Sequence, residues 1–94
     1  MILGFRDRET ARLWSGQRSR RLPPWIQSTA LRRLRQLDEA TALGELARFG
    51  GNRLEALGGD RIGQYSIRIN DQWRICFRWT EQGPEDVEIV DYHS

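Results

Sequence analysis

The sequence predicts an α+β fold in which two N-terminal helices pack on a small antiparallel or mixed β-sheet. Three observations lead there. Apolar residues recur at helical spacing through the first half, they alternate with polar residues through much of the second, and Gly50-Gly51 separates the two regimes. A chain of 94 residues buries roughly two thirds of its unfolded surface, enough for one core and not two. Residues 1–94 are therefore expected to form a single domain.

Met1 to Phe5 carries Ile2, Leu3 and Phe5 and reads as a short first strand. Asp7 offers an N-cap, and Thr10, Leu13 and Trp14 follow at helical spacing, so a first helix is expected to about Gly16. A basic connector, Gln17-Arg18-Ser19-Arg20-Arg21, ends at Leu22-Pro23-Pro24, where proline suits a helix start and not a helix interior. From Trp25 onward Ile26, Ala30, Leu31, Leu34 and Leu37 fall on one face of a second helix, with Arg32, Arg33 and Arg35 largely off that stripe. Thr41 to Arg48 adds a further helical turn.

Beyond the glycines the period becomes two. Tyr65, Ile67 and Ile69 alternate with Ser66, Arg68 and Asn70; Trp73, Ile75, Phe77 and Trp79 alternate with Arg74, Cys76 and Arg78. This predicts a hairpin with an apolar face toward the helices and an arginine face on the opposite surface. Glu81-Gln82-Gly83-Pro84 reads as a turn, and Glu85 to Asp91, with Val87 and Ile89, as the third strand of a meander. Gly58-Gly59-Asp60-Arg61-Ile62-Gly63 is glycine-rich, but it lacks the preceding strand and the following Lys-Ser/Thr of a phosphate-cradling nucleotide loop and is read as a turn. Strict alternation assigns Trp73, Phe77 and Trp79 to core packing ahead of base stacking.

Composition narrows the function. Hydrophobic residues at 38% and charged residues at 30% are ordinary globular values. No run approaches the ~18 apolar residues that cross a bilayer, and no secretory leader is recognisable at the N-terminus, so the expected location is the cytoplasm, without a membrane partner. One cysteine, Cys76, excludes an internal disulfide and argues against a cysteine zinc site. All fifteen basic residues are arginine; a G+C-rich genome explains this, and the planar guanidinium also suits phosphate and bases. Residues 1–48 hold ten Arg and five Asp or Glu, a net of +5, and residues 49–94 hold five and eight, a net of −3. The split fits either a nucleic-acid-facing patch or a docking surface for an acidic protein.

The last residues before the terminal serine are Val90-Asp91-Tyr92-His93, and His93 is the one histidine in the chain. An acid, a phenol and an imidazole at the end of a final strand form a compact set for moving protons, because histidine's ordinary pKa of about 6.5 leaves both protonation states accessible. A lone histidine beside a chain end is more often part of a frayed tail than a catalyst.

Four stretches carry a resemblance: Gly51-Asn52-Arg53-Leu54-Glu55-Ala56-Leu57; Gly59 through Asn70; Gln72-Trp73-Arg74-Ile75-Cys76-Phe77; and Val87 through His93. In this order, with the terminal Asp-Tyr-His, they resemble the HigB toxins of the RelE/ParE superfamily of bacterial toxin-antitoxin systems. The first half agrees mainly in size and helix pattern. The resemblance implies a RelE/ParE-like α+β fold and a ribosome-dependent endoribonuclease, an mRNA interferase cutting messenger RNA in the ribosomal A site by acid/base chemistry without metal or cofactor. It further implies neutralisation by a HigA-like helix-turn-helix antitoxin, with operator DNA reached only through that antitoxin.

By the same resemblance His93 is the leading acid/base candidate, Asp91 orients it or tunes its charge, and Tyr92 stacks on a base or donates a hydrogen bond. Arg68 and Arg74 are candidates for holding the scissile phosphate, and Arg53 and Arg61 for extending that grip. Arg18, Arg20, Arg21 and Arg32 are candidates for ribosomal RNA, as are Arg33 and Arg35. Where some relatives carry basic or imidazole side chains before the hairpin, this chain has Glu55 and Gly58; either arginines compensate, Glu55 serves as general base, or cleavage is slow. Two other functions remain open: a ParE-like toxin that blocks DNA gyrase without chemistry, and an antitoxin-binding corepressor module.

Overall fold

The computed structural model describes residues 1–92. Helix α1 spans Arg8–Trp14 and α2 spans Pro24–Glu39. A 3-10 helix follows at Leu43–Arg48 and a shorter one at Gly59–Arg61. The strands are β1 (Glu55–Ala56), β2 (Tyr65–Arg68), β3 (Trp73–Thr80) and β4 (Gly83–Asp91), in the order β1-β2-β3-β4 with every pair antiparallel. Helices ahead of an antiparallel sheet make the α+β arrangement read from the sequence.

Local chemistry sets each element. Asp7 caps α1, its Oδ2 accepting the Thr10 amide at 3.0 Å. Seven residues are too few for a helix to persist alone; α1 is held by buried Thr10 and Leu13, and the Thr10 hydroxyl accepts the Ile89 amide of β4 at 3.0 Å. The arginine-rich connector is locked around Ser19, whose Oγ donates to Glu9 at 2.7 Å and accepts the amides of Arg21 and Leu22. Pro24 occupies the first turn of α2, where its missing N–H costs nothing. Ile26, Ala30, Leu34 and Leu37 then form the buried stripe. The Glu45 carboxylate accepts the amides of Thr41 and Ala42, capping the 3-10 helix.

One sheet face closes the core. Ile67, Ile75, Phe77, Val87 and Ile89 pack with the α2 stripe, Leu13 and Leu46, and Trp73 and Trp79 lie against the same cluster. The β3–β4 register shifts between Cys76 and Arg78: Arg78 pairs with Glu85 and Cys76 with Glu88. The extra residue of this bulge is accommodated by Asp86 at φ 52°, and it keeps Val87 inward while Glu88 stays opposite Cys76.

Three expectations change. Met1 to Phe5 is not a strand; it runs parallel to β4 with the one bridge Phe5↔Val87, plus hydrogen bonds from Leu3 N to Pro84 O (2.8 Å) and Arg6 N to Val87 O (2.9 Å). Pro84 offers no N–H and the bulge at Asp86 interrupts the edge, so a continuous ladder cannot form. Gly83 permits the close approach, because a Cβ there would collide with the Met1 carbonyl. The sheet also gains β1, whose two exposed residues carry no alternation to read. Finally, Gly83 and Pro84 belong to β4 and not to the turn.

Candidate functional site

The sheet face turned away from the helices is built in cross-strand rows. Ser66, Cys76 and Glu88 stand opposite one another on β2, β3 and β4, and Arg68, Arg74 and Val90 form the adjacent row. This face is not the solvated arginine surface that alternation suggests: Ser66 and Cys76 are fully buried and Arg74 is 9% exposed. The 49–64 segment folds over it. Arg74 Nε donates to Ser66 Oγ at 2.7 Å, and its NH2 to the Arg53 carbonyl at 2.6 Å. Both acceptors are neutral, and among the described residues the guanidinium charge is met by one loose ion pair, with exposed Glu55 at 4.0 Å.

The covering segment is itself pinned. Asn52 is fully buried, donates from Nδ2 to Gln36 and to the Leu46 carbonyl at 3.0 Å each, and accepts the Arg68 amide on its own carbonyl. These bonds hold the next residue, Arg53, at φ 45°, a left-handed conformation that a long side chain rarely adopts unassisted. Arg53 therefore offers the network its carbonyl, while its side chain stands at the surface.

At the other end of the face Arg61 NH1 donates to Glu88 Oε1 at 2.6 Å and to Gln64 at 3.0 Å. Glu88 holds the Arg61 guanidinium above its already high range. Tyr92 follows β4, its amide bonded to the Gln72 carbonyl at 2.6 Å and its hydroxyl 3.8 Å from Cys76 Sγ. Burial pushes the Tyr92 phenol up, and the Cys76 contact adds to this; burial likewise pushes the Cys76 thiol up. Near neutral pH both are protonated; the Cys76 thiol donates to the Tyr92 oxygen, and the phenol keeps its own proton and is not a base. Asp91 is in register with Trp73 and accepts Gln72 Nε2 at 3.2 Å, leaving the strand on the side away from the Tyr92–Cys76 contact.

The structure thus gathers Glu55, Arg61, Arg74 and Tyr92 on or over one face. Arg68 sits at its margin, paired with Asp71, while its carbonyl accepts Arg33 Nε at 3.1 Å. The Arg33 pKa is lowered by burial and by the neighbouring charges of Arg32 and Arg68, so cations are crowded where α2 meets the β2–β3 turn. Arg18, Arg20 and Arg21 are elsewhere: Arg18 and Arg20, with Arg12, line an open cleft of about 790 Å³ beside the start of α2, and Arg21 is on the same connector. His93 lies outside the described residues. Sequence reasoning missed Glu88, Ser66 and Arg6. Only the register that aligns Ser66, Cys76 and Glu88 reveals the first two, and Arg6 becomes visible only once the N-terminal segment is laid along β4.

Among the described residues no three imidazole, thiol or carboxylate groups converge as a metal would require, and no helix is long and apolar enough to cross a membrane. A family model described as RelE-like toxin of type II toxin-antitoxin system HigB matches residues 3–93. Toxin HigB-1 of Vibrio cholerae is 37% identical over 82 residues, 86% of each chain. Endoribonuclease HigB of Proteus vulgaris is 39% identical over 61 residues, 65% of each chain. A match spanning nearly the whole chain, joined to the helices-then-sheet order described above, places the protein in the HigB-like family of RelE-like toxins, the toxin half of a type II toxin-antitoxin system.

Proposed function

We propose that this toxin is a ribosome-dependent endoribonuclease that cuts messenger RNA in the A site. The observation that supports it best is the convergence on one sheet face of a protonated Tyr92 hydroxyl with two guanidiniums, Arg61 and Arg74, the second of which is held by the neutral acceptors Ser66 and Arg53 and meets exposed Glu55 only at 4.0 Å. Strand cleavage without a metal needs a ribose 2′-hydroxyl to lose its proton as it attacks phosphorus, the departing 5′-oxygen to gain one, and the added negative charge to be stabilised. Arg74, with Arg68 at the margin of the face, serves the third need, and Arg61 at the other end extends the grip along the strand. Tyr92 donates to a phosphate oxygen or to the leaving group.

In this reading His93, the next residue in the chain, carries the proton exchange, with Asp91 setting its charge. Glu55 stands 4.0 Å from Arg74 and is the alternative base. The partly open face leaves alignment of the message to the ribosome, and the exposed arginines of the connector and α2 (Arg18, Arg20, Arg21 and Arg32) supply contacts to ribosomal RNA. The toxin acts in the cytoplasm and is silenced by a HigA-like antitoxin, through which it reaches operator DNA.

Primer extension on a defined message bound to 70S ribosomes tests this, with wild type, His93→Ala and Glu55→Gln compared. Cleavage at A-site codons, reduced at least about 10²-fold in His93→Ala, is the expected result, and naked RNA should be cut far more slowly. A comparable loss in Glu55→Gln alone would move the base to Glu55. An intact message with all three proteins, alongside growth arrest on induction, would sink the nuclease and leave a toxin that blocks its target.

A further inference from the structure

We propose that Arg6, acting with Arg61, forms a second phosphate-binding site at the Glu88 end of this face and grips a backbone phosphate flanking the scissile one on the message strand. The inference rests on the reading of RNA as substrate and adds to it a residue that neither spacing nor resemblance singles out. Arg6 is far from the other site residues in sequence and is delivered by the fold. Its amide donates to Val87 O at 2.9 Å, Val87 N returns a bond to Gly4 O at 3.2 Å, and Ile2 N is held by Asp38 at 2.8 Å. The next residue, Asp7, caps α1. The backbone at Arg6 is thereby fixed from both sides, and its guanidinium comes to the Glu88 carboxylate that Arg61 already holds.

Charge and geometry both favour an anion there. One carboxylate faces two guanidiniums, so the trio carries a net positive charge. Arg61 takes the short contact, 2.6 Å, and Arg6 Nε stays at 3.9 Å, too far for a hydrogen bond. The Arg6 side chain is 56% exposed and Glu88 only 16%, so the open donors point outward over a covered acid. Glu88 acts as a positioning residue: it holds Arg61 in place and draws Arg6 alongside, giving two forks close enough to share one phosphate. Arg61 also lies within electrostatic reach of Tyr92, which puts this pair next to the proposed cleavage centre and not on the connector that carries Arg18 and Arg20.

The test separates binding from cleavage. Fluorescence anisotropy with a short single-stranded 2′-O-methyl RNA, which cannot be cut, is measured across a salt series for wild type, Arg6→Gln and Arg6→Lys. Arg6→Gln is expected to weaken binding about 5-fold and to flatten the dependence of log Kd on log salt by about 0.7, the value for one lost phosphate contact on a single strand. Arg6→Lys should restore the slope. An unchanged affinity and slope in Arg6→Gln, or no binding by wild type, overturns the proposal. A change seen only with vacant ribosomes makes the phosphate a ribosomal one and overturns the message assignment. Failure of the nuclease reading is visible separately, as wild type that binds this RNA with an Arg6-dependent slope and leaves ribosome-bound message intact.

Discussion

Ile67, Ile75 and Phe77 on one face of the sheet and Ser66 and Cys76 on the other are all fully closed to solvent, yet they are closed by different means. The helix-side face is sealed by apolar area against α2, an interaction that needs shape and volume and tolerates some rearrangement. The opposite face is covered by the 49–64 segment, which is held by directed bonds from Arg74, Asn52 and Arg61. Directed bonds have a sharper failure: a partner removed leaves a buried polar group without water or protein to satisfy it. The proposed functional face is therefore the one whose integrity depends on a few polar atoms, and the arginines that support it are the ones proposed to meet substrate.

The largest effect is expected on the apolar side. Phe77→Ala removes a fully buried ring and should cost about 3–5 kcal/mol, lowering Tm by well over 10 °C, since each kcal/mol shifts a domain of this size by about 4–8 °C. Thermal denaturation followed by circular dichroism checks it. A drop of only a few degrees would mean that the cluster collapses around the cavity and that this face is less tightly packed than its burial indicates.

Next in size is Arg74→Met, which keeps much of the side-chain volume and removes the donors to Ser66 Oγ and the Arg53 carbonyl. A loss of about 2–3 kcal/mol is expected from the unsatisfied acceptors, together with loss of cleavage. If stability were unchanged while activity vanished, Arg74 would serve the phosphate alone and the polar face would stand without it.

A smaller effect is expected in the alkaline range. Burial raises both the Cys76 thiol and the Tyr92 phenol, so the folded chain holds these protons more tightly than the unfolded chain does. Once pH rises above about 8.5, the ordinary thiol value, the unfolded state releases a proton that the folded state keeps, and stability falls until the folded pKa is passed. Tyr92 adds to the fall above its own ordinary value near 10. Urea melts across this range should show Cys76→Ala starting less stable and declining less steeply. Parallel slopes would place the alkaline loss outside this pair.

These contrasts explain what the sequence made legible. The helix stripe Ile26, Ala30, Leu34, Leu37 and the alternation through Tyr65–Trp79 are signals of local periodicity, and apolar burial follows local periodicity directly. The polar face is assembled from residues distant along the chain: Arg74 with Arg53, Arg61 with Glu88, and Arg6 with both. Alternation gave the face on which Arg68, Arg74 and Arg78 lie, but could not show that a loop without periodicity would cover Arg74 and Ser66. Residue types singled out the terminal Asp91-Tyr92-His93 and resemblance suggested its roles; the fold adds that Tyr92 reaches Cys76 while Asp91 leaves on the Trp73 side. Met1–Phe5 misled because its apolar residues suit a strand, whereas whether a strand forms there is decided by its partner, and β4 offers a proline and a bulge.

That bulge carries the smallest and most diagnostic expectation, because it keeps the two faces in phase. Asp86 at φ 52° is the extra residue that lets Arg78 face Glu85 and Cys76 face Glu88. Asp86→Gly relieves a left-handed conformation but gives the unfolded chain more freedom, and these terms are each about 1 kcal/mol and opposed. The Arg78–Asp86 pair it also removes, at 3.6 Å and about half exposed on each side, is worth no more than a few tenths of a kcal/mol. The net change should lie within about 0.5 kcal/mol, with the Arg61–Glu88 contact and cleavage intact. Asp86→Val places a β-branched side chain where the backbone disfavours it and should cost over about 1 kcal/mol. If the strand escapes that strain by losing the bulge, every residue beyond it reverses its face, turning Val87 outward and Glu88 into the core. Cleavage should then fall far more than stability alone accounts for. Equal activity in the glycine and valine variants would show that the register does not depend on this residue.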